Sequence, residues 1–206
     1  MKRIMFVIIM LAAGLYAGAQ PVAGKFFVGG SLNIWASTDK SKVDGITFTD
    51  EKSFNFDFNP RLGYFVSDRI AAGIGLGFSN SVTKFPDDIP DKSTSSRFYF
   101  EPFVRYYLIS GKAGIFAEAS VGTYVGKNKL YYDTTTDEWN NLGIFAGVSP
   151  GVYYFITEKL ALEAWIGWIG IETDVDKFSD DDKDIYTEFQ MSLYPSNISL
   201  GLKFIL

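Results

Sequence analysis

The chain has 206 residues, 47% hydrophobic and 17% aromatic, with 19 basic against 24 acidic side chains and a formal net charge of −5. It contains no cysteine and no histidine, which excludes disulfides, thiolate chemistry, imidazole bases and the commonest metal ligands. An acidic chain without a basic run in its sequence also argues against nucleic-acid binding, which needs lysines and arginines to displace counterions.

Residues 1–19 read as a cleaved secretory signal. Lys2 and Arg3 are the charged start, an apolar stretch follows, and Ala17-Gly18-Ala19 is an A-x-A cleavage site before Gln20. No cysteine follows the apolar stretch, so lipoprotein processing is excluded. The longest apolar run of the chain lies inside this signal, so any membrane crossing by residues 20–206, read as one domain, falls to strands.

Eight segments then alternate apolar and polar residues with a period of two, the pattern of strands with one face of each kind. The first sets Phe26, Val28, Leu32 and Ile34 against Gly29, Ser31 and Asn33. The second sets Phe54, Phe56, Phe58, Leu62 and Tyr64 against Asn55, Asp57, Asn59, Arg61 and Gly63. The third sets Ile70, Ile74, Leu76 and Phe78 against Ala71, Gly73, Gly75 and Gly77. The fourth sets Phe98, Phe100, Val104 and Tyr106 against Arg97, Tyr99, Glu101, Phe103 and Arg105.

The fifth strand sets Ile115, Ala117, Val121 and Val125 against Phe116, Glu118, Ser120 and Tyr124. The sixth sets Leu142, Ile144, Val148 and Val152 against Gly143, Gly147, Ser149 and Gly151. The seventh sets Leu160, Leu162, Ile166 and Trp168 against Glu163, Trp165 and Gly167, and the eighth Ile198, Leu200, Leu202, Phe204 and Leu206 against Ser199, Gly201 and Lys203. Phe189, Met191 and Leu193 carry the opposite parity, which predicts a bulge or break near Pro195-Ser196.

One hairpin is written three times. Pro60-Arg61-Leu62-Gly63-Tyr64, Pro102-Phe103-Val104-Arg105-Tyr106 and Pro150-Gly151-Val152-Tyr153-Tyr154 share a proline with a tyrosine four residues on, and each leads into a short polar turn. The other connections, about residues 38–53, 82–96, 127–140 and 172–185, read as long hydrophilic loops. Short turns at one end and long loops at the other predict an eight-stranded antiparallel up-and-down transmembrane β-barrel, with both termini on the short-turn, periplasmic side.

A soluble lipocalin-like carrier also alternates, with its polar face turned to water. Two features favour the membrane barrel. Its polar face is rich in Gly, Ala and Ser, which suits a narrow interior better than a wetted surface. Tyr64, Tyr106 and Tyr154 fall on the apolar face near the short turns, where an aromatic girdle meets the headgroups; Trp168, Phe98 and Phe54 are expected in the opposite girdle, and Phe204 joins the interface set. The prolines, which lack a ladder donor, predict local bulging or a solvated carbonyl.

Asp57, Arg61, Arg97, Glu101, Arg105, Glu118, Glu163 and Lys203 share the inward parity, so opposite charges are expected to pair as a lumen network. Arg105 and Glu118 are predicted within diagonal reach across one hairpin. The competing reading is a gated polar path, but an eight-stranded barrel has room only for its own side chains. A paired-carboxylate hydrolase needs a cleft around two acids, and Glu101, Glu118 and Glu163 do not announce one. The chain is therefore read as no enzyme, with no cofactor and no catalytic or metal residue. The acidic stretch 172–185 reads as a solvated loop rather than a calcium site, because it lacks the Gly and terminal Glu of an EF-hand loop.

These residues together resemble the small outer-membrane β-barrel domain family, the OmpA/OmpX-like and PorT-like eight-stranded barrels of Gram-negative bacteria. The resemblance rests on the segment from Pro60 through Gly63-Tyr64-Phe65-Val66-Ser67-Asp68-Arg69 to Gly73, on Tyr153-Tyr154-Phe155-Ile156-Thr157-Glu158-Lys159, and on Ile198-Ser199-Leu200-Gly201-Leu202-Lys203-Phe204. The last looks like the strand signal read by the barrel-insertion machinery, except that the chain ends on Leu206 with its aromatic at Phe204. The resemblance implies outer-membrane lipid around the barrel and a location in the cell outer membrane, without one activity. Two roles stay open. One is a filled barrel acting as an envelope-structural or adhesin-like protein through loops that meet an extracellular partner. The other is a narrow channel for small solutes.

Overall fold

The computed structural model describes residues 22–43, 46–86, 90–178, 183–192 and 198–206. The expected signal at 1–19 and the expected break at Pro195-Ser196 lie outside the described residues. Among the described residues ten strands form: β1 (Phe26–Val43), β2 (Ile46–Ser67), β3 (Ile70–Lys84), β4 (Lys92–Ile109), β5 (Ala113–Tyr131), β6 (Thr136–Phe155), β7 (Leu160–Ile166), β8 (Trp168–Lys177), β9 (Lys183–Ser192) and β10 (Ile198–Ile205). β7 and β8 are one stave interrupted at Gly167, and β9 and β10 together supply the last, so the wall has eight antiparallel staves. Pairing from Phe27↔Ile205 to Ser31↔Gly201 joins first to last and closes the barrel.

Register follows the hydrophobic pattern, since a slip of one residue would exchange the two faces. Phe65 lies opposite Ala71, and Arg61 opposite Gly75. The polar turns share their chemistry as well. The Ser67 hydroxyl accepts from the amides of Arg69 and Ile70 at 3.3 and 3.1 Å, and that of Thr157 from Lys159 and Leu160 at 3.3 and 3.0 Å. In both, a hydroxyl supplies the acceptor that a tight turn otherwise lacks.

Each repeat proline interrupts one ladder. Pairing of β2 with β3 skips from Phe58↔Phe78 to Arg61↔Gly75 without a register change, and that of β4 with β5 skips from Phe100↔Thr123 to Phe103↔Ser120. Beside Pro150 the register does change, from Gly151↔Trp165 to Val148↔Ile169. Gly167 absorbs that extra residue with φ +95°, a conformation that costs any residue with a Cβ. Bulging therefore accompanies one of the three prolines, and at the other two the ladder merely loses its bonds.

The slip at Gly167 corrects one expectation. Beyond it the parity of the stave reverses, so Trp168 points into the barrel instead of joining the outer girdle. A Cβ on Gly147 or on Gly170 would fall 2.5 Å from the Trp168 ring. The four expected long loops are also corrected. β1 and β2 pair out to Val43↔Ile46, β3 and β4 to Lys84↔Lys92, β5 and β6 to Tyr131↔Thr136, and β8 and β9 to Lys177↔Lys183. Hydrophilic stretches still close a ladder, because backbone pairing does not need apolar side chains.

Candidate functional site

The inward residues fill the periplasmic half of the lumen. Phe27, Phe65, Tyr107, Phe116 and Phe155 are at most 1% exposed. Glycines make room for them: a Cβ on Gly151 would fall 2.3 Å from the Phe116 ring, and one on Gly63 would fall 2.2 Å from that of Phe27. The apolar faces look outward. Leu32, Leu76, Val121, Ile144 and Leu200 are 53–64% exposed around the barrel, an area of greasy surface that water does not tolerate on one wall after another. This facing is the opposite of a soluble carrier's.

Six of the eight candidate charges form one chain rooted in the filled half. Arg61 Nη2 donates to Glu101 Oε2 at 2.9 Å, and its Nη1 pairs with Glu118. Arg105, directly opposite Glu118 rather than diagonal to it, donates to that carboxylate from Nη2 at 2.7 Å and from Nε at 2.9 Å. Arg105 Nη1 then reaches Glu163 at 2.7 Å, and Lys203 Nζ reaches the same oxygen at 2.6 Å. Three carboxylates alternate with three cations, so the chain is neutral. Its four deepest members, Arg105, Glu118, Glu163 and Lys203, are at most 4% exposed.

Aromatic rings complete the coordination. The Phe116 ring centre lies 4.1 Å from the Arg105 guanidinium carbon. Lys203 Nζ has the Tyr107 and Tyr153 ring centres at 5.1 and 5.3 Å, and donates to the Tyr107 hydroxyl at 3.1 Å. Cations buried this way have their charge met by carboxylates and by ring faces together. The sequence reading missed Trp165 as a participant, whose indole N–H donates to Glu118 at 3.3 Å. Its inward parity was the available signal.

Asp57 and Arg97 stand apart from this chain. Asp57 accepts from Ser79 Oγ at 2.6 Å, and the Arg97 guanidinium lies 5.3 Å from the Tyr124 ring centre. Both line a cavity of ≈ 530 Å³ above the plug, together with Glu101, Tyr99, Trp168 and Glu172. This corrects the expectation that the lumen holds only its own side chains: the periplasmic half is filled, and the half toward the strand tips is hollow. Tyr124 crosses its wall, donating to Glu172 Oε1 at 2.7 Å and contacting Asp174.

The interface aromatics divide by end. Tyr64, Tyr106 and Phe204 are exposed on the outer face, Tyr154 is half-buried there, and all four sit beside the short turns or termini. Tyr64 packs on Phe26 with ring centres 4.8 Å apart. Phe54 and Phe98 are outward at the other end.

Among solved structures, the outer membrane protein OprG from Pseudomonas aeruginosa matches with a TM-score of 0.52 at 13% identity, covering 89% of this chain and 97% of that one. The chain has the fold of the small outer-membrane β-barrels. The N-terminal β-barrel domain of Pseudomonas aeruginosa OprF also matches, at 11% identity with a TM-score of 0.43, covering 89% of this chain and 98% of that one. No family model and no curated protein matches.

Proposed function

We propose that this barrel is a non-conducting outer-membrane protein that acts at its extracellular end, in an envelope-structural or surface-interaction role, and that it is not an enzyme. The observation carrying this reading is the cross-section at Arg105, Glu118, Glu163 and Lys203. Every charge there is buried and paired, and aromatic rings pack around the pairs. Opening a path would break a chain of desolvated ion pairs, each costly to leave without its partner. Function in such folds resides in what is grafted on the scaffold, which in this barrel is the set of strand extensions beyond the membrane band. In this reading the barrel-insertion machinery handles the protein during assembly, and an extracellular partner meets the strand tips.

The hollow upper lumen favours a second reading, a narrow route for small solutes gated by the same charges. Purified protein in planar lipid bilayers separates the two. Electrical silence at ordinary membrane potentials is the expected result, and reproducible unit conductance steps would overturn the non-conducting reading in favour of the channel.

A further inference from the structure

Charges sort by face once the polar stretches are placed on strands. Inward positions of β8 toward the strand tips carry carboxylates, as Glu172 lines the cavity and Asp174 meets the inward Tyr124. The outward positions of the same rim carry lysines that the linear sequence scatters. Lys52 lies directly opposite Lys84, and Lys84 directly opposite Lys92, across β2, β3 and β4. Lys177 lies directly opposite Lys183 across β8 and β9. The facing is fixed by the adjoining row, because Ser53 is buried inward and hydrogen-bonds to Thr83 at 3.0 Å.

Like charges directly opposite on neighbouring strands repel. Among the described residues, no carboxylate forms an ion pair with Lys52, Lys84, Lys92, Lys177 or Lys183, whereas Lys127 and Lys129 share Glu138. Such rows call for an external anion. Their height says which one. Strands rising ~3.3 Å per residue at a tilt of ~40° climb ~2.5 Å per residue along the membrane normal, so a ~25 Å apolar band takes about ten residues. On β2 that band runs from Tyr64 to Phe54, and Lys52 is the next outward residue, at headgroup level.

An outer-face groove of ≈ 550 Å³ lies just beside the second cluster. Phe98, Val125 and Leu142 make its apolar part, and Lys127, Asn140 and Lys177 its polar end. These rows are in register, since Phe98↔Val125↔Leu142 is one row and Lys127↔Asn140↔Lys177 is another. A groove that is greasy toward the bilayer centre and cationic toward the headgroups matches an acyl chain with a phosphate at its end.

We propose that the outward lysine rows bind the phosphate groups of outer-leaflet lipid, with the groove between β4, β5, β6 and β8 seating one such molecule. The lipid phosphate supplies the anion that Lys177 lacks, with Lys127 beside it already paired to Glu138, and the Lys52, Lys84 and Lys92 row extends the contact around the barrel. Charged juxtamembrane lysines hold anionic headgroups within a Debye length in just this manner.

Native mass spectrometry of the detergent-solubilised protein with a bisphosphorylated lipid A tests this, beside the same lipid with its phosphates removed. Two variants are measured, Lys52→Gln/Lys84→Gln/Lys92→Gln and Lys127→Gln/Lys177→Gln. The expected result is retention of the phosphorylated lipid by wild type, with apparent affinity weakened at least tenfold in each variant and for the dephosphorylated lipid. Circular dichroism and thermal unfolding without lipid show that the variants fold; their midpoints should move little, because the one ion pair lost, Lys127 with Glu138, is exposed to solvent. Equal retention of both lipids, or undiminished binding by folded variants, would overturn the proposal. So would displacement of the lipid by millimolar inorganic phosphate, which would make the rows a free-anion site.

Discussion

Glu163 holds two cations at once, Arg105 at 2.7 Å and Lys203 at 2.6 Å, in a position only 4% exposed. Glu163→Gln keeps the shape but leaves a surplus positive charge among aromatic rings. Removing one partner of a buried pair costs roughly 3–5 kcal/mol. The variant should lower the stability of the detergent-refolded barrel by about that amount, read as a shift in the urea midpoint with an unchanged slope. Asp57→Asn is the internal comparison. Asp57 accepts from Ser79 at the wall of the hollow region, where a neutral acceptor serves nearly as well, so its loss should stay within about 1 kcal/mol, the net worth of an ordinary hydrogen bond. A deep charge that proved as replaceable as Asp57 would show that the plug is not held by its ion pairs.

The stave made of β7 and β8 shows how one residue sets the facing of an element. Trp165 and Trp168 both point inward although they are three apart, because Gly167 at φ +95° adds a residue that the β6 partner does not match. Gly167→Val should cost roughly 1–3 kcal/mol, since a β-branched residue is strained at positive φ, and chemical denaturation would register it. Deleting Gly167 is more drastic. It would turn Trp168, Glu172 and Asp174 toward lipid, and the protein should fail to refold into detergent micelles by far-ultraviolet circular dichroism. Refolding with wild-type yield would mean that the reversal of parity is not needed. The sequence displays the second half of this device, as Phe189 and Met191 are out of phase with Leu200. It hides the first half, because Ile166-Gly167-Trp168 continues a pattern of plausible alternation.

Closure of the wall makes the whole molecule cooperative. Each stave shares its hydrogen bonds with two neighbours, and the first meets the last through β1 and β10. A closed barrel has no edge from which detergent can peel strands. Unheated protein in dodecyl sulfate should therefore migrate on gels at a different apparent mass from boiled protein; a single band at the boiled position under both conditions would contradict a closed barrel.

Alternation along single segments was enough to assign strands and their facing over most of the wall. Side chains alternate with period two whatever the neighbours are, so this information is local. Inward placement of the charged residues follows from the same parity, and so does the outward placement of Tyr64, Tyr106 and Tyr154. Relations between strands distant in sequence are another matter. Lys203 meets Glu163 and Tyr107, Lys52, Lys84 and Lys92 line up in one row, and the lumen is filled at one end and hollow at the other. Each of these depends on register summed over several hairpins, and on a bulge at a glycine that looks ordinary in its own segment. Local periodicity specifies what a residue faces, and closure of the barrel specifies which residue it meets.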